Sequence, residues 1–293
     1  MILVTGGTGL LGSTLVPHLR AEGRIVATHA HSKAADYTAD LTVTTQAFEL
    51  LNRSQPTTII NLVGLTSVER CQDRPHEAYL LNTKTVENIA SWMAVEGRHC
   101  HLIQISTDQV YDGTGQHKED AITITNNYAF SKYAGELAAL RVPSTVLRTN
   151  FVGRSNVAYR ESLTDWIFNS LRRGERINVL NDVLFSPLSL VLTSQLISLI
   201  IDRKPLGVFN AGSRTGMSKA DFDFAFAEAL GLDVSLMTRI STDEATFFRA
   251  YRPKNMCMDS SLFEARMQVR MPDLMEIITS VAREYRNHTP HHT

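Results

Sequence analysis

Glycine recurs at every third position directly after the first apolar run of this chain, and no other feature constrains the fold as tightly. Ile2 to Thr5 read as a short buried strand, Gly6, Gly9 and Gly12 as a turn, and Leu11, Leu15, Val16 and Leu19 as the apolar face of a helix. A strand, a glycine turn and a helix in that order commit the chain to α/β layers, with a ligand-binding edge where the turn lies. Gly6 permits the tight turn, Gly9 lets backbone approach a pyrophosphate, and Gly12 lets the helix pack close to the strand. Free amides at the helix start, around Leu10 and Leu11, would meet phosphates, helped by a dipole worth roughly half a positive charge. The spacing is Gly-x-x-Gly-x-x-Gly, which differs from the Gly-x-Gly-x-x-Gly dinucleotide fingerprint.

Strand and helix patterns then alternate to residue 150. Strands are expected at Arg24–Thr28, Thr57–Leu62, His101–Ile105 and Ser144–Arg148, and helices near Thr44–Leu51, Pro75–Val95 and Tyr128–Leu140. Such repeats predict a doubly wound parallel sheet of the Rossmann type, covered on both faces. Ligands of these sheets bind beyond the carboxyl ends of the strands. Gly6–Gly12, Asn61–Gly64, Thr107 and Thr149–Gly153 all fall at such ends.

Past Phe151 the pattern loosens. A helix is expected at Ser162–Arg172, a strand at Arg176–Leu180, a helix at Leu188–Ile201 and a strand at Gly207–Ala211. Ser218 and Asp221 open a further helix to about Leu230 with a capping pattern. The division expected is a dinucleotide-binding domain of residues 1–150 plus about 176–204. A smaller, discontinuous substrate-binding lobe would hold about 151–175 and 205–293, with substrate in the cleft between.

The second strand ends in His29-Ala-His31-Ser32-Lys33, and no acidic residue follows until Asp36. NAD usually requires a carboxylate there for the ribose 2′-hydroxyl. His29, Ser32 and Lys33 offer donors and positive charge that suit a 2′-phosphate, so NADP(H) is the preferred cofactor and NAD(H) the second choice. Asp40 and Leu41 follow, where an adenine amino group would find an acceptor, and Leu62, Val63 and Gly64 complete the cofactor wall.

Tyr128 and Lys132 lie four apart on one helix and face the same way. An ammonium beside a phenol stabilises the phenolate, and a phenol tuned in this way exchanges a proton with a carbonyl oxygen. Thr107, at the end of the His101–Ile105 strand, offers a hydroxyl to the same carbonyl. Taken alone, Tyr-x-x-x-Lys is ordinarily a solvated helix face. The glycine turn is what changes its meaning.

The net charge is −1 and no long basic stretch occurs, so nucleic acid is not an expected partner. Three separated cysteines, Cys71, Cys100 and Cys257, read as reduced thiols of a cytoplasmic protein. A first strand starting at Ile2 leaves no signal peptide to expect, and Leu188–Ile201 is too short to span a bilayer, so no membrane role is expected. His99 and His101 enter a strand, and His288, His291 and His292 lie in a tail. Neither group has carboxylate or thiolate partners at ligand spacing, so no metal is expected.

With these pieces placed, the sequence resembles the extended short-chain dehydrogenase/reductase superfamily, and within it the dTDP-4-dehydrorhamnose reductases. The carriers are Thr5 to Gly12, Ile59-Ile60-Asn61, Thr66-Ser-Val68-Glu69, Asn82, Ser106-Thr107-Asp108 with Asp112-Gly113, and Tyr128-x-x-x-Lys132 with Gly135-Glu136. Leu147-Arg148-Thr149, Ser186-Pro187 and Arg252-Pro253 add to them. The resemblance implies NADPH-dependent reduction of a keto group on a nucleotide-linked deoxysugar, in synthesis of a cell-surface polysaccharide precursor. Thr107, Tyr128 and Lys132 would be the catalytic set. Thr107 and Asp108 would touch the nucleotide-sugar substrate, and Phe151 would stand where the family has a Trp near the nucleotide. A homodimer is compatible with the reading. Ala129 after the tyrosine, Leu62-Val63-Gly64 after Asn61, and Val183-Leu-Phe-Ser-Pro187-Leu-Ser depart from the family pattern and leave the sugar open.

Three rival readings accompany this one. Related 4,6-dehydratases carry Glu where this chain has Gln109, and an amide cannot serve as the base. Epimerases of the superfamily hold NAD through an acidic residue after the second strand. A non-catalytic NADP-binding regulatory subunit, like the beta subunit of methionine adenosyltransferase, would keep the fold without turnover.

Overall fold

A computed structural model describes residues 1–97 and 99–288, with the His288 side chain left out; His291 and His292 lie outside the described residues. The first half runs β1 (Ile2–Thr5), α1 (Gly12–Ala21), β2 (Val26–Ala30), β3 (Tyr37–Thr38), α2 (Thr44–Ser54) and β4 (Thr58–Asn61). Then come α3 (Val68–Asp73), α4 (Pro75–Tyr79), a π turn at Leu80–Lys84, α5 (Thr85–Val95), β5 (His101–Thr107), α6 (Asn127–Ala139) and β6 (Ser144–Thr149). The expected helix from Pro75 to Val95 is therefore α4 and α5 joined through a π turn, with Pro75 at its start. The π turn carries Asn82, whose carbonyl lies 2.3 Å from where a Cβ on Gly135 would stand, so α6 meets it backbone to backbone.

The second half holds β7 (Phe151–Val152), α7 (Leu163–Arg172), β8 (Ile177–Leu180), β9 (Leu184–Phe185), β10 (Leu188–Ser189), α8 (Leu190–Arg203) and β11 (Gly207–Ala211). It closes with β12 (Met217–Ser218), α9 (Lys219–Ala229), β13 (Met237–Ile240), α10 (Ser261–Met267) and α11 (Leu274–His288).

Seven strands form the main sheet in the order β11-β6-β5-β4-β1-β2-β3. All its pairings are parallel. Because side chains alternate along a strand, each central strand serves two cores. Val4, Ile60, Ile103 and Leu147 belong to one core with α1 and α8, whereas Leu3, Ile59, Leu102 and Val146 belong to the other with α2 and α5. That division is the doubly wound fold expected from sequence. β11, assigned from sequence to the second lobe, is instead the edge strand of the main sheet, in register with β6 from Gly207–Thr145 to Ala211–Thr149.

The remaining strands form two-stranded pairs, β13 with β8, β12 with β9 and β10 with β7, so β8, β9 and β10, expected in the dinucleotide-binding domain, each pair with a strand expected in the smaller lobe. Phe222, Phe226 and Tyr285 of α9 and α11 extend the core shared by the sheet, α1 and α8, with Phe226 and Tyr285 edge to face at 5.3 Å. Strand order reverses between β1 and β4. In open α/β sheets that reversal opens the crevice where ligands sit.

Candidate active site

The crevice at this switch point holds two adjoining cavities, of about 400 Å³ and about 280 Å³. Its floor is the glycine turn. Gly6 has φ +71°, and a Cβ there would stand 3.0 Å from Leu62 and Val63 backbone atoms, so only glycine lets the turns after β1 and β4 touch. A Cβ on Gly12 would lie 2.3 Å from the Gly7 carbonyl oxygen. The tight contact of Gly12 is thus with the turn itself rather than with the strand. Gly6, Gly9, Leu10, Leu11, Gly12, Leu62 and Gly64 line the larger cavity; Val63 lines the smaller.

The smaller cavity gathers His29, Ser32, Lys33, Asp40 and Leu41. Their states differ. Ser32 and Lys33 are exposed, whereas His29 is buried, its Nε2 at 3.0 Å from the Ala39 carbonyl. Burial lowers the His29 pKa, so His29 lines the wall as a neutral ring and leaves the positive charge expected of His29, Ser32 and Lys33 to Lys33. Asp36 is committed elsewhere. Its Oδ2 accepts from the Thr28 backbone N–H and hydroxyl, both at 2.8 Å, and it does not line the cavity.

In the larger cavity, Thr107, Asp108, Tyr128, Lys132 and Phe151 come together from β5, α6 and β7. Thr107 is the last residue of β5, so the sheet fixes its position; its hydroxyl donates to Asp108 Oδ1 at 3.2 Å and accepts from the Gln109 N–H at 3.2 Å. Asn126 caps α6 by accepting from the Ala129 N–H at 2.8 Å, which sets the helix start one residue before Tyr128. Behind α6, the buried Glu136–Arg148 pair at 2.6 Å ties the helix to β6, and Ser106 donates to the same carboxylate. Asn82 accepts from the Leu65 N–H at 2.7 Å and donates to Ser131 at 2.8 Å, so it holds the loop after β4 against α6.

Electrostatics depart from expectation at the tyrosine. Burial raises the Tyr128 phenol above its ordinary range; the Thr107 hydrogen bond opposes this, Asp108 and Cys71 add to it, and Arg160 opposes it. Lys132 is not the cation bearing on the phenol, because its ammonium donates to the Ile105 carbonyl at 2.7 Å. Burial pushes Lys132 down to about 8, while Glu136 and Cys71 act upward. The site therefore presents a neutral phenol, which is the form that gives a proton. Burial likewise raises Asp108 to about 6, against the 2.7 Å bond it accepts from Asn150.

Sequence reasoning missed Arg160, Tyr159 and, on α9, Lys219 with Asp223, and it weighed Gln109 only as a missing base. Arg160 lines both cavities and Tyr159 the smaller, although their segment carries no motif. Gln109 lines the larger cavity with its amide oxygen buried and unpartnered among the described residues. Lys219 and Asp223 lie one turn apart on α9, where burial raises the Asp223 carboxyl to about 8 and lowers Lys219, and the charge of Lys219 acts on Asp108. The capping pattern at Ser218 was visible, but not the inward face of this helix. Arg252 and Glu69, from two of the motif segments, meet at 2.7 Å.

The family model of the RmlD substrate binding domain matches residues 1–287. The chain is 27% identical over 299 residues to a probable low-salt glycan biosynthesis reductase, Agl14, of Haloferax volcanii, covering 98% of each chain. It is 27% identical over 291 residues to a dTDP-4-dehydrorhamnose reductase of Escherichia coli, covering 93% of each. A dTDP-4-dehydrorhamnose reductase of Bacillus anthracis, solved in complex with NADP, shares the fold with TM-score 0.86 at 22% identity, covering 97% of this chain and 98% of that one. The Thr107, Tyr128 and Lys132 constellation, the switch-point crevice and the near full-length match identify this chain as a member of the RmlD substrate-binding-domain family.

Proposed function

We propose that this protein reduces the keto group of a nucleotide-linked deoxysugar with NADPH, as a step toward a cell-surface polysaccharide precursor. The observation that carries the reading is the convergence of Thr107, Tyr128 and Lys132 on the cavity that the glycine turn floors. The names of the relatives, a glycan biosynthesis reductase and a dTDP-4-dehydrorhamnose reductase, support the substrate class. The NADP held by the Bacillus anthracis structure supports the cofactor.

The residues present fit a dinucleotide. Backbone approaches so closely at Gly6 and Gly12 that no side chain would be tolerated, and that leaves a cradle of free amides at the start of α1. Exposed Lys33 and Ser32 stand at one end with no acidic residue competing for a ribose hydroxyl beyond Asp40, whose Oδ1 already accepts from Thr42. This favours NADPH, with NADH second. When bound, the cofactor supplies a hydride to the keto carbon.

The chain's own groups do the rest. Thr107 positions the keto oxygen by hydrogen bond, and Tyr128, neutral in this setting, donates its proton to that oxygen as negative charge develops. Lys132, cationic below about 8, holds the cofactor ribose. Asp108 and Phe151 line the same cavity, beside the sugar and its nucleotide. Gln109 offers an acceptor oxygen to a sugar hydroxyl, and an amide there cannot abstract a proton, which weighs against dehydration. The protein would act in the cytoplasm, alone or as a homodimer.

The experiment is NADPH oxidation by the purified chain given dTDP-4-keto-6-deoxyhexose, with UDP- and GDP-linked ketosugars and NADH in parallel. Turnover with one of the ketosugars supports the reading. Tight NADPH binding without turnover on any of them would overturn it in favour of a regulatory subunit.

A further inference from the structure

The segment between β7 and α7 runs across the mouth of the crevice, and it is fastened to the glycine turn. Asn156 donates to the Thr14 hydroxyl at 3.4 Å, and the Tyr159 hydroxyl donates to the Thr8 carbonyl at 3.0 Å. The Lys33 ammonium lies 2.9 Å from the centre of the Tyr159 ring. Arg160 reaches over to the loop after β4, where its guanidinium donates to the Thr66 hydroxyl at 2.9 Å. The far end of the strap is held by the Ser162–Asp165 capping box at the start of α7.

Five residues line both cavities: Gly6, Gly9, Leu62, Gly64 and Arg160. Four of them offer the junction only backbone and apolar surface. Arg160 is the one charged group there, and its Nη1 lies 3.9 Å from where a Cβ on Gly9 would stand. Among the described residues no carboxylate pairs with it. A guanidinium with most of its donors unspent, set against a cradle of free amides, is built for a planar, bidentate anion.

We propose that Arg160 is a cofactor-binding residue that caps the diphosphate of the dinucleotide from the side opposite the glycine turn. A dinucleotide laid through both cavities has its adenosine end beside Lys33 and its reacting end beside Tyr128, so its diphosphate crosses their junction. The strap thus closes the site over the cofactor. It also links cofactor binding to the substrate side through Thr66, which lines the larger cavity. The influence of Arg160 on Tyr128 fits a cation seated at this junction.

The inference rests on the dinucleotide reading of the crevice, and the test separates the two. NADPH and free dTDP would be titrated separately into the intact wild-type protein, Arg160→Gln and Arg160→Lys, with affinity read by calorimetry and folding by thermal melting. Expected is a loss of NADPH affinity of about tenfold or more in Arg160→Gln, with partial recovery in Arg160→Lys, an unchanged melt, and dTDP affinity kept within about twofold. NADPH affinity retained in Arg160→Gln would overturn the proposal, as would a loss confined to dTDP, which would make Arg160 a substrate residue instead. Wild-type protein without NADPH affinity would instead overturn the dinucleotide reading itself.

Discussion

The two walls of the crevice are made of different material. The floor, from Gly6 to Gly12 and Leu62 to Gly64, presents backbone held by a parallel sheet, with contacts so close that a single Cβ would collide with a carbonyl oxygen. The facing wall, from Arg154 to Ser162, presents long side chains, Tyr159 and Arg160 among them, that are more than half exposed or carried on an irregular segment. In the proposed reading the floor would recognise what every dinucleotide shares, a diphosphate that accepts from amides. The facing wall would add charge and shape, and substitutions there should adjust affinity and preference without disturbing the fold. Between them Tyr128 is carried on α6, so the chemistry depends on neither wall for its position.

Five perturbations sharpen this contrast. The largest effect is expected from Tyr128→Phe, which removes the proton donor while keeping the ring. Steady-state turnover should fall by roughly 10²- to 10⁴-fold with NADPH affinity nearly unchanged. Loss of affinity together with turnover would place Tyr128 in the floor rather than in the chemistry. Next, Gly12→Ala should strike the floor, because its Cβ would stand 2.3 Å from the Gly7 oxygen. A fall in stability of about 1–3 kcal/mol, measured by denaturant titration, together with loss of NADPH binding is expected. Tyr159→Ala on the facing wall should weaken NADPH only, with the denaturation midpoint unmoved.

Lys33→Ala should lower the ratio of NADPH to NADH affinity by about tenfold, since a charged partner of the 2′-phosphate is lost. Equal weakening of both cofactors would remove Lys33 from that role. The smallest effects are those of pH. Lys132 has its pKa lowered to about 8, so its charge is present below that value and is lost as pH rises through it. Turnover should decline across that range, and a profile flat to pH 10 would contradict the role given to Lys132.

Asp223, on α9, offers a stability counterpart. Burial raises its carboxyl to about 8, against the neighbouring Lys219, and its Oδ1 has no hydrogen-bond partner among the described residues. A carboxyl raised in the folded state holds a proton that the unfolded chain releases, so stability is lost as pH climbs from the ordinary carboxylate range to about 8. Asp223→Asn should therefore raise the melting temperature by a few degrees at high pH and change it little at low pH.

What the sequence made legible follows the same division. The main sheet, its order of strands and helices, and the residues at strand ends are encoded locally, by period-two runs, glycine spacing and the Tyr-x-x-x-Lys turn. The strap is not. Arg154 to Glu161 has neither a hydrophobic period nor a turn signature, and its meaning comes from contacts with Thr8, Thr14 and Thr66, which are far away in sequence. Burial was hidden for the same reason. His29 reads as a donor in sequence, and only burial within the surrounding wall makes it neutral, against the Ala39 carbonyl. Lys132 and Tyr128 were rightly brought to one cavity by their spacing. Their expected charge coupling gave way to burial and to the Ile105 carbonyl, a tertiary contact that spacing does not report. β11 was visible as a strand, but its place depended on the long return through α8, so its membership of the main sheet was not.

The most direct test is transfer of isotope from NADPH deuterated at its transferable position, with dTDP-4-keto-6-deoxyhexose as acceptor and the sugar product read by mass spectrometry and NMR. Expected is one deuterium on the former keto carbon with wild-type protein and almost none with Tyr128→Phe, although that variant still binds NADPH. Deuterium appearing at the wild-type rate in Tyr128→Phe, or no label in the sugar despite bound NADPH, would contradict a Tyr128-assisted ketosugar reduction.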